Sequence, residues 1–261
     1  MDELDLQQLV GRTFVQQIRA LVETESTNSV ALAWSSQLHP RELPALVATE
    51  QQTAGRGRGA NRWWSAPGAL TFSLLIEPAA LGLTPDRWPA LSLSVGLAIA
   101  LTVESQLRTA DVRLKWPNDV YLNGRKVAGI LIESPAAASN RLVIGIGLNV
   151  NNSLTHAPDD VRHRAVAMTD VAGSILDRTD LLRRLLVEIE QLLTELAVDS
   201  PGLATEWRRH CLLTGRSVVI ADSTRTIAGT CLGLDDDGAL RVQTGHSVER
   251  LFSGVVMDFG G

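Results

Sequence analysis

The chain has 261 residues, 45% hydrophobic and 20% charged, the balance of a globular protein able to bury a core as one large domain or one plus a small companion. Its 24 basic and 29 acidic residues leave a net charge of −5, which excludes a general electrostatic grip on nucleic acid and confines any anion site to a local cluster. Cys211 and Cys231 are too few for a disulfide framework and lack metal-ligand spacing, so a reducing compartment is the plain reading.

The acidic start Met1-Asp2-Glu3-Leu4-Asp5 is unlike a signal peptide. The longest uncharged apolar stretch, 90–103, is shorter than the roughly 18 residues a bilayer span needs, so a cytoplasmic protein without a membrane partner is expected. In chain order, 2–14 reads as an N-terminal helix, 18–22 and 45–48 as short strands, and 28–36 between them as a helix whose start suits the hydroxyls of Ser26 and Thr27. The apolar run 70–76 (LTFSLLI) reads as a buried strand closed by Glu77-Pro78. Residues 87–107 form a long apolar helix with Pro89 in its first turn, expected at the centre of the core.

Strands follow at 112–115, 120–122, 126–132 and 142–146, and Asn123-Gly124 between two apolar runs signals a hairpin. Helices are expected at 180–196 and 203–210, separated by Asp199-Ser200-Pro201-Gly202. Beyond Cys211 the pattern changes to short β runs at 217–221, 225–231, 240–243 and 247–252. A unit of about 50 residues is marginal alone, so it should pack on the larger part. The expected class is α+β, a mixed β-sheet flanked by helices over 1–210 followed by a small β domain over 211–261.

Three segments carry chemistry. In 51–65, QQTAGRGRGANRWWS, Gly55, Gly57 and Gly59 alternate with Arg56 and Arg58, letting the backbone approach a ligand while two guanidiniums supply paired donors to phosphate or carboxylate. The spacing fits neither a P-loop nor a dinucleotide fingerprint. A flexible Arg-Gly loop is the plain alternative, and Trp63-Trp64 either anchors the loop or covers an apolar ring. In Lys115-Trp116-Pro117-Asn118-Asp119 a lysine, an amide and a carboxylate share a rigid turn, and Lys126 on the following strand can project beside Lys115, with Gly129 giving a ligand access to the backbone. The third segment, Ile144 to Asn151, is a strand running into a turn whose Asn149 suits a ribose or phosphate, or simply packing.

The ordered set STN (26–28), QTAGRGRG (52–59), KWPND (115–119), RKVAGILIE (125–133) and GIGLNV (145–150) resembles biotin–protein ligases, and the β tail resembles the SH3-like C-terminal domain of that family. The resemblance implies that biotin and MgATP form biotinyl-5′-adenylate, with biotin then transferred to a lysine of a biotin carboxyl carrier domain of a carboxylase. It implies that Ser26, Thr27, Asn28 and Gln52 frame the ureido head of biotin, with Gly55, Arg56, Gly57, Arg58, Lys126 and Gly129 completing the biotin site. Arg56, Arg58, Trp63, Lys115, Asn118, Lys126 and Asn149 are implied as nucleotide contacts. The catalytic set is Lys126, Arg58, Lys115 and Asp119, the last either a base for the acceptor lysine or an ion-pair partner of Lys115, and no protein metal site is expected beyond Mg²⁺ carried by ATP. Gly59-Ala60-Asn61-Arg62 departs from the second Gly-Arg pair of many bacterial relatives, which leaves Arg62 open. Only 25 residues precede Ser26, about half of a three-helix DNA reader, so no DNA binding is expected. A lipoate or octanoate ligase of the same fold, a biotin sensor without turnover, and monomer or homodimer all stay open.

Overall fold

A computed structural model describes residues 4–136, 138–222, 224–245 and 247–260. Seven strands form one mixed sheet: β1 (Gln17–Thr24), β2 (Ala45–Gln52), β3 (Leu70–Ile76), β4 (Val112–Lys115), β5 (Asp119–Leu122), β6 (Arg125–Glu133) and β7 (Leu142–Leu148). Their spatial order is β1-β2-β3-β7-β6-β5-β4, with β1 and β2 parallel and every other pair antiparallel. The all-apolar reading of 70–76 holds: β3 and β7 lie in the middle of the sheet and are buried along their whole length.

Helices cover both faces. On one, α2 (Leu91–Gln106) and α5 (Arg178–Ala197) pack on the sheet and on each other, with Leu97, Ile99, Leu182 and Leu186 fully buried. On the other, α1 (Thr27–Trp34) closes a smaller cluster with Val47, Leu75 and Val143. Short helices α3 (Asp159–Arg164) and α4 (Met168–Ala172), which no sequence signal announced, follow β7, and α6 (Pro201–His210) leads out of the first sheet.

The long helix differs from expectation at its start: residues Pro85–Ala90 form a 3-10 turn, and the α-helix begins at Leu91. Pro89 inside that turn has no N–H to give to an α-helical ladder, so the tighter geometry ends only beyond it. The span Pro85–Gln106 is apolar and long enough to cross a bilayer by composition, but two-thirds of it is buried inside the fold, where its apolar surface is used. The expected N-terminal helix is a single 3-10 turn, Leu6–Leu9, within the described residues. The hairpin at Asn123-Gly124 is present, both residues adopting positive φ (49° and 79°) as a tight two-residue turn requires.

The second sheet comprises β8 (Ser217–Ala221), β9 (Thr226–Leu234), β10 (Leu240–Thr244), β11 (Ser247–Leu251) and β12 (Val255–Gly260), all antiparallel in the order β11-β10-β9-β8-β12. The sequence reading stopped at 252 and missed β12, an edge strand with mostly exposed residues and no apolar alternation. This unit packs on the larger part as expected: Val218, Ile220, Leu240 and Val242 belong to the same continuous core as α2 and α5, and the Leu212 N–H donates to the Leu114 carbonyl at 2.8 Å.

One buried charge ties the central sheet to α5. Arg178, 1% exposed, donates to both oxygens of Glu50 at 2.8 and 3.1 Å and to the Ala69 carbonyl at 3.2 Å. Removing the carboxylate takes the counter-ion away from a guanidinium buried out of water. Glu50→Ala is therefore expected to lower unfolding free energy by about 3 kcal/mol in urea titration; a loss below about 1 kcal/mol would show that the pair is dispensable.

Candidate active site

Sheet register assembles the site. Thr71 on β3, Gly147 on β7, Gly129 on β6, Asp119 on β5 and Lys115 on β4 are successive register partners, so they form one row on one face. The adjacent row contains Ser73, Gly145 and Leu131. Strand alternation sends Ile144, Ile146 and Leu148 into the α2–α5 core and Val143 toward α1, which places both rows on the α1 face.

Strict alternation would put Lys126 on the opposite face from Gly129. A bulge intervenes: Asp119 pairs with Gly129 and Val120 with Ala128, but Tyr121 pairs with Lys126. The extra residue, Val127, turns into the core, and Lys126 comes round to the cleft.

The cleft encloses about 340 Å³ and has two chemically different ends. At one end, uncharged polar groups are buried: Ser26, Thr27 and Asn28 at the start of α1, and Gln52 at the end of β2. The Thr27 N–H donates to Gln52 Oε1 at 2.7 Å and the Thr27 hydroxyl to the same oxygen at 3.1 Å; Asn28 Nδ2 donates to Leu131 O at 3.2 Å and Glu133 Oε2 at 2.8 Å. The hydroxyls expected to cap α1 do other work: Ser26 makes no side-chain capping bond, and Thr27 already belongs to the helix. Close approach depends on two glycines, because a Cβ at Gly145 would collide with the Asn28 amide and one at Gly147 with the Trp63 indole.

Six basic side chains, Arg56, Arg58, Arg62, Lys115, Lys126 and Arg164, also line the cleft, with Asp119 the one carboxylate among the described lining residues; Arg56 stands beside the neutral groups through Glu133, while Lys115, Lys126, Asp119 and Arg164 gather at the charged end. Lys126 Nζ lies 2.6 Å from Asp119 Oδ1. Asp119 thus pairs with Lys126, and the alternative pairing with Lys115 is corrected: Lys115 instead sits over the Phe259 ring at 4.8 Å and the Tyr121 ring at 5.9 Å. Burial holds the Lys115 ammonium below its ordinary range, with Asp119 opposing the shift and Lys126 and Arg164 adding to it. Burial likewise lowers Arg58, countered by Asp119, and Tyr121 is pushed up to about 12 by burial and the same carboxylate.

The GRGRG segment folds back on itself, Gly57 N–H donating to Asn61 O at 2.8 Å, and both its arginines are engaged. Arg58 Nη1 donates to the Gly254 carbonyl at 2.7 Å, and Arg56 pairs with both oxygens of Glu133 at 2.8 and 2.7 Å. Arg56, read from sequence as a cation for the ligand, is thus a tie between the loop and β6.

Most sequence-selected residues converge: Ser26, Thr27, Asn28, Gln52, Arg56, Gly57, Arg58, Trp63, Lys115, Asn118, Asp119, Lys126 and Gly129 all line the cleft. Gly55 and Asn149 do not. Gly55 packs against the Trp63 backbone, and the Asn149 side chain is buried, its Oδ1 accepting from Asn152 Nδ2 at 3.0 Å. Asn118 lines the cleft with its amide already donating to Ile130 O at 2.8 Å. Arg164 and residues 254–256 were missed; they reach the cleft from α3 and from the second sheet, distances along the chain that no local pattern encodes.

Residues 21–151 match the Biotin/lipoate A/B protein ligase family and residues 214–259 the Biotin protein ligase C terminal domain. The biotin–[acetyl-CoA-carboxylase] ligase of Mycobacterium tuberculosis is 34% identical over 262 residues, covering 98% of this chain and 95% of that protein. The bifunctional ligase/repressor BirA of Bacillus subtilis is 29% identical over 212 residues, covering 80% of this chain but 64% of its own length, so this chain spans less than two thirds of that relative. Among solved structures, the biotin protein ligase of Aquifex aeolicus in complex with biotin and ATP aligns with a TM-score of 0.80 at 27% identity, covering 92% of this chain and 97% of that one.

An anion entering the basic end favours the charged form of Lys115. Its affinity is therefore highest while Lys115 is protonated and declines as pH rises through the lowered lysine value. Titrating pyrophosphate calorimetrically between about pH 7 and 10 should show that decline, and Lys115→Arg, which stays charged throughout, should flatten it. An unchanged slope in the variant would remove Lys115 from the anion site.

Proposed function

This chain belongs to the biotin protein ligase family, whose members are enzymes, and we propose that it activates biotin with ATP and transfers it to a lysine of a carrier domain. The supporting observation is the polarity of the cleft. Buried neutral donors and acceptors at Thr27, Asn28 and Gln52 suit an uncharged ureido head, and a cation cluster suits a carboxylate and phosphates. An acyl acid without a ureido ring leaves the buried polar end unpaired, which disfavours lipoate and octanoate.

In the first step a carboxylate oxygen of biotin attacks the α-phosphorus of ATP; the new C(O)O–P bond forms as the bond to the β-phosphate bridging oxygen breaks, and pyrophosphate leaves. Two anions must approach each other, so catalysis is largely charge compensation. Lys126 serves the biotin carboxylate and the bridging oxygen, Arg58 the carboxylate and α-phosphate, and Lys115 the outer phosphates. Trp63 walls the nucleotide side, and Ser26, Gly57 and Gly129 shape the biotin side.

Mg²⁺ enters this reading as a companion of the triphosphate; Asp119, the one carboxylate among the described lining residues, is paired with Lys126. Bound to ATP, the ion would neutralise phosphate charge; Arg58 and Lys115 do the same from the protein side.

In the second step the neutral amine of the acceptor lysine attacks the biotinyl carbonyl, the amide bond forms and AMP leaves. The amine must lose a proton, since a free lysine is mostly charged at neutral pH. Asp119, paired with Lys126, orients that lysine in this reading and, as a second role, accepts the proton. A carrier domain of a biotin-dependent carboxylase supplies the lysine, and the family and the two free cysteines fit a cytoplasmic setting.

ATP–pyrophosphate exchange tests the first step without an acceptor. Biotin should support exchange and lipoate and octanoate should not, and Lys126→Ala should reduce the rate by about 10²-fold or more. Exchange driven by lipoate or octanoate would move the assignment to that class, whereas biotin binding without exchange would make the protein a sensor. Asp119→Asn separates the roles of the carboxylate: slower transfer from preformed biotinyl-adenylate is expected, and transfer at the unaltered rate would leave Asp119 only its tie to Lys126.

A further inference from the structure

Glu133 ends β6 and touches the cleft only through other residues. Its two oxygens take both Arg56 amino groups, at 2.8 and 2.7 Å, and Oε2 also accepts from Asn28 Nδ2 at 2.8 Å. Asn28 is 4% exposed, and its amide meets groups that fix its orientation. A carboxylate and the Leu131 carbonyl, 3.2 Å away, can only accept, so Nδ2 must face them and Oδ1 must face Ser73.

Ser73 Oγ lies 2.6 Å from Asn28 Oδ1 and 2.8 Å from Thr27 Oγ1, and it has one proton to give. Asn28 Oδ1 has none, so the proton goes there. Thr27 directs its own proton to Gln52 Oε1 at 3.1 Å, which leaves the lone pairs of its hydroxyl as an acceptor for the pocket it lines. Without the negative charge at 133 only the Leu131 carbonyl, at 3.2 Å, holds Nδ2, and the orientation of the Asn28 amide is weakened. A turned amide takes the acceptor away from Ser73, whose proton then goes to Thr27 Oγ1 at 2.8 Å and occupies a lone pair that the hydroxyl had kept for the pocket.

Resting on the biotin reading of the cleft, we propose that Glu133 is a specificity-determining positioning residue: through Asn28, Ser73 and Thr27 it sets the hydrogen-bond polarity of the head-group pocket, so that the pocket accepts from a ureido N–H. The same carboxylate holds Arg56, which couples the position of the GRGRG loop to the polarity of the pocket. Glu133→Gln keeps the shape and sets the two anchors of Asn28 against each other. Arg56 claims the one remaining oxygen, and the new amide N–H turns toward Asn28, whose Nδ2 the Leu131 carbonyl still holds.

Calorimetric titration of the full chain with biotin, and separately with MgATP, tests this. Glu133→Gln and Asn28→Ala should each weaken biotin about tenfold or more, leave MgATP within about twofold, and leave the thermal midpoint within a few degrees. Because both act on one relay, the double variant should bind biotin within about twofold of the weaker single variant. Ser73→Ala cuts the relay from its far side and should weaken biotin to a similar extent, which carries the test if a Glu133 variant does not fold. Biotin affinity within twofold of wild type in Glu133→Gln, an equal loss of MgATP affinity, or losses that multiply in the double variant would each overturn the proposal. Wild-type protein that binds no biotin would instead remove the functional reading itself, and this one with it.

Discussion

A strand buried on both faces admits nothing to its backbone unless some of its residues lack side chains. β7 meets that condition: Ile144, Ile146 and Leu148 fill the core under α2 and α5, while Gly145 and Gly147 leave the opposite face open. Asn28 enters over the first glycine and Trp63 over the second. One constraint thus brings the start of α1 and the glycine-arginine segment to the same stretch of sheet, and the neutral end of the cleft meets the charged end there.

Charge crowding is the second organising feature. The molecule is acidic overall, yet six basic groups and one carboxylate face a single cleft. Such a cluster is costly without an anion, and the fold meets the cost by engaging several of the cations: Lys126 with Asp119, Arg56 with Glu133, Arg58 with the Gly254 carbonyl, and Lys115 against Phe259. Gly254 and Phe259 come from the second sheet. That sheet therefore shapes the basic groups of the cleft as well as extending the core, a consequence of β12 lying at its edge beside the cleft.

Much of this was legible beforehand where local chemistry decides the outcome. The all-apolar run 70–76 had no solvent-facing alternation and became a central strand; Asn123-Gly124 had few conformations other than a tight turn. The ordered motifs selected residues that converge, with Gly55 and Asn149 the exceptions. In both the residue type was read as a ligand contact, whereas burial turned it inward: Gly55 is needed for close passage of the Trp63 backbone, and Asn149 bonds within its own turn. Short helices such as α3 and α4 and the edge strand β12 carry weak periodicity and are held by tertiary contacts.

The sequence by itself determined the class of fold, the family resemblance, and the need for a local anion site in an acidic chain, because composition, apolar runs and motif order are properties of the chain alone. Only the tertiary structure decided which charges are paired and which way they face. Lys126 is the clearest case: alternation along β6 would point it away from Gly129, and one bulged residue, set by pairing with β5, returns it to the cleft beside Asp119. Side-chain direction in a strand has a period of two, so a single unpaired residue reverses it, and the pairing that admits that residue lies in the neighbouring strand.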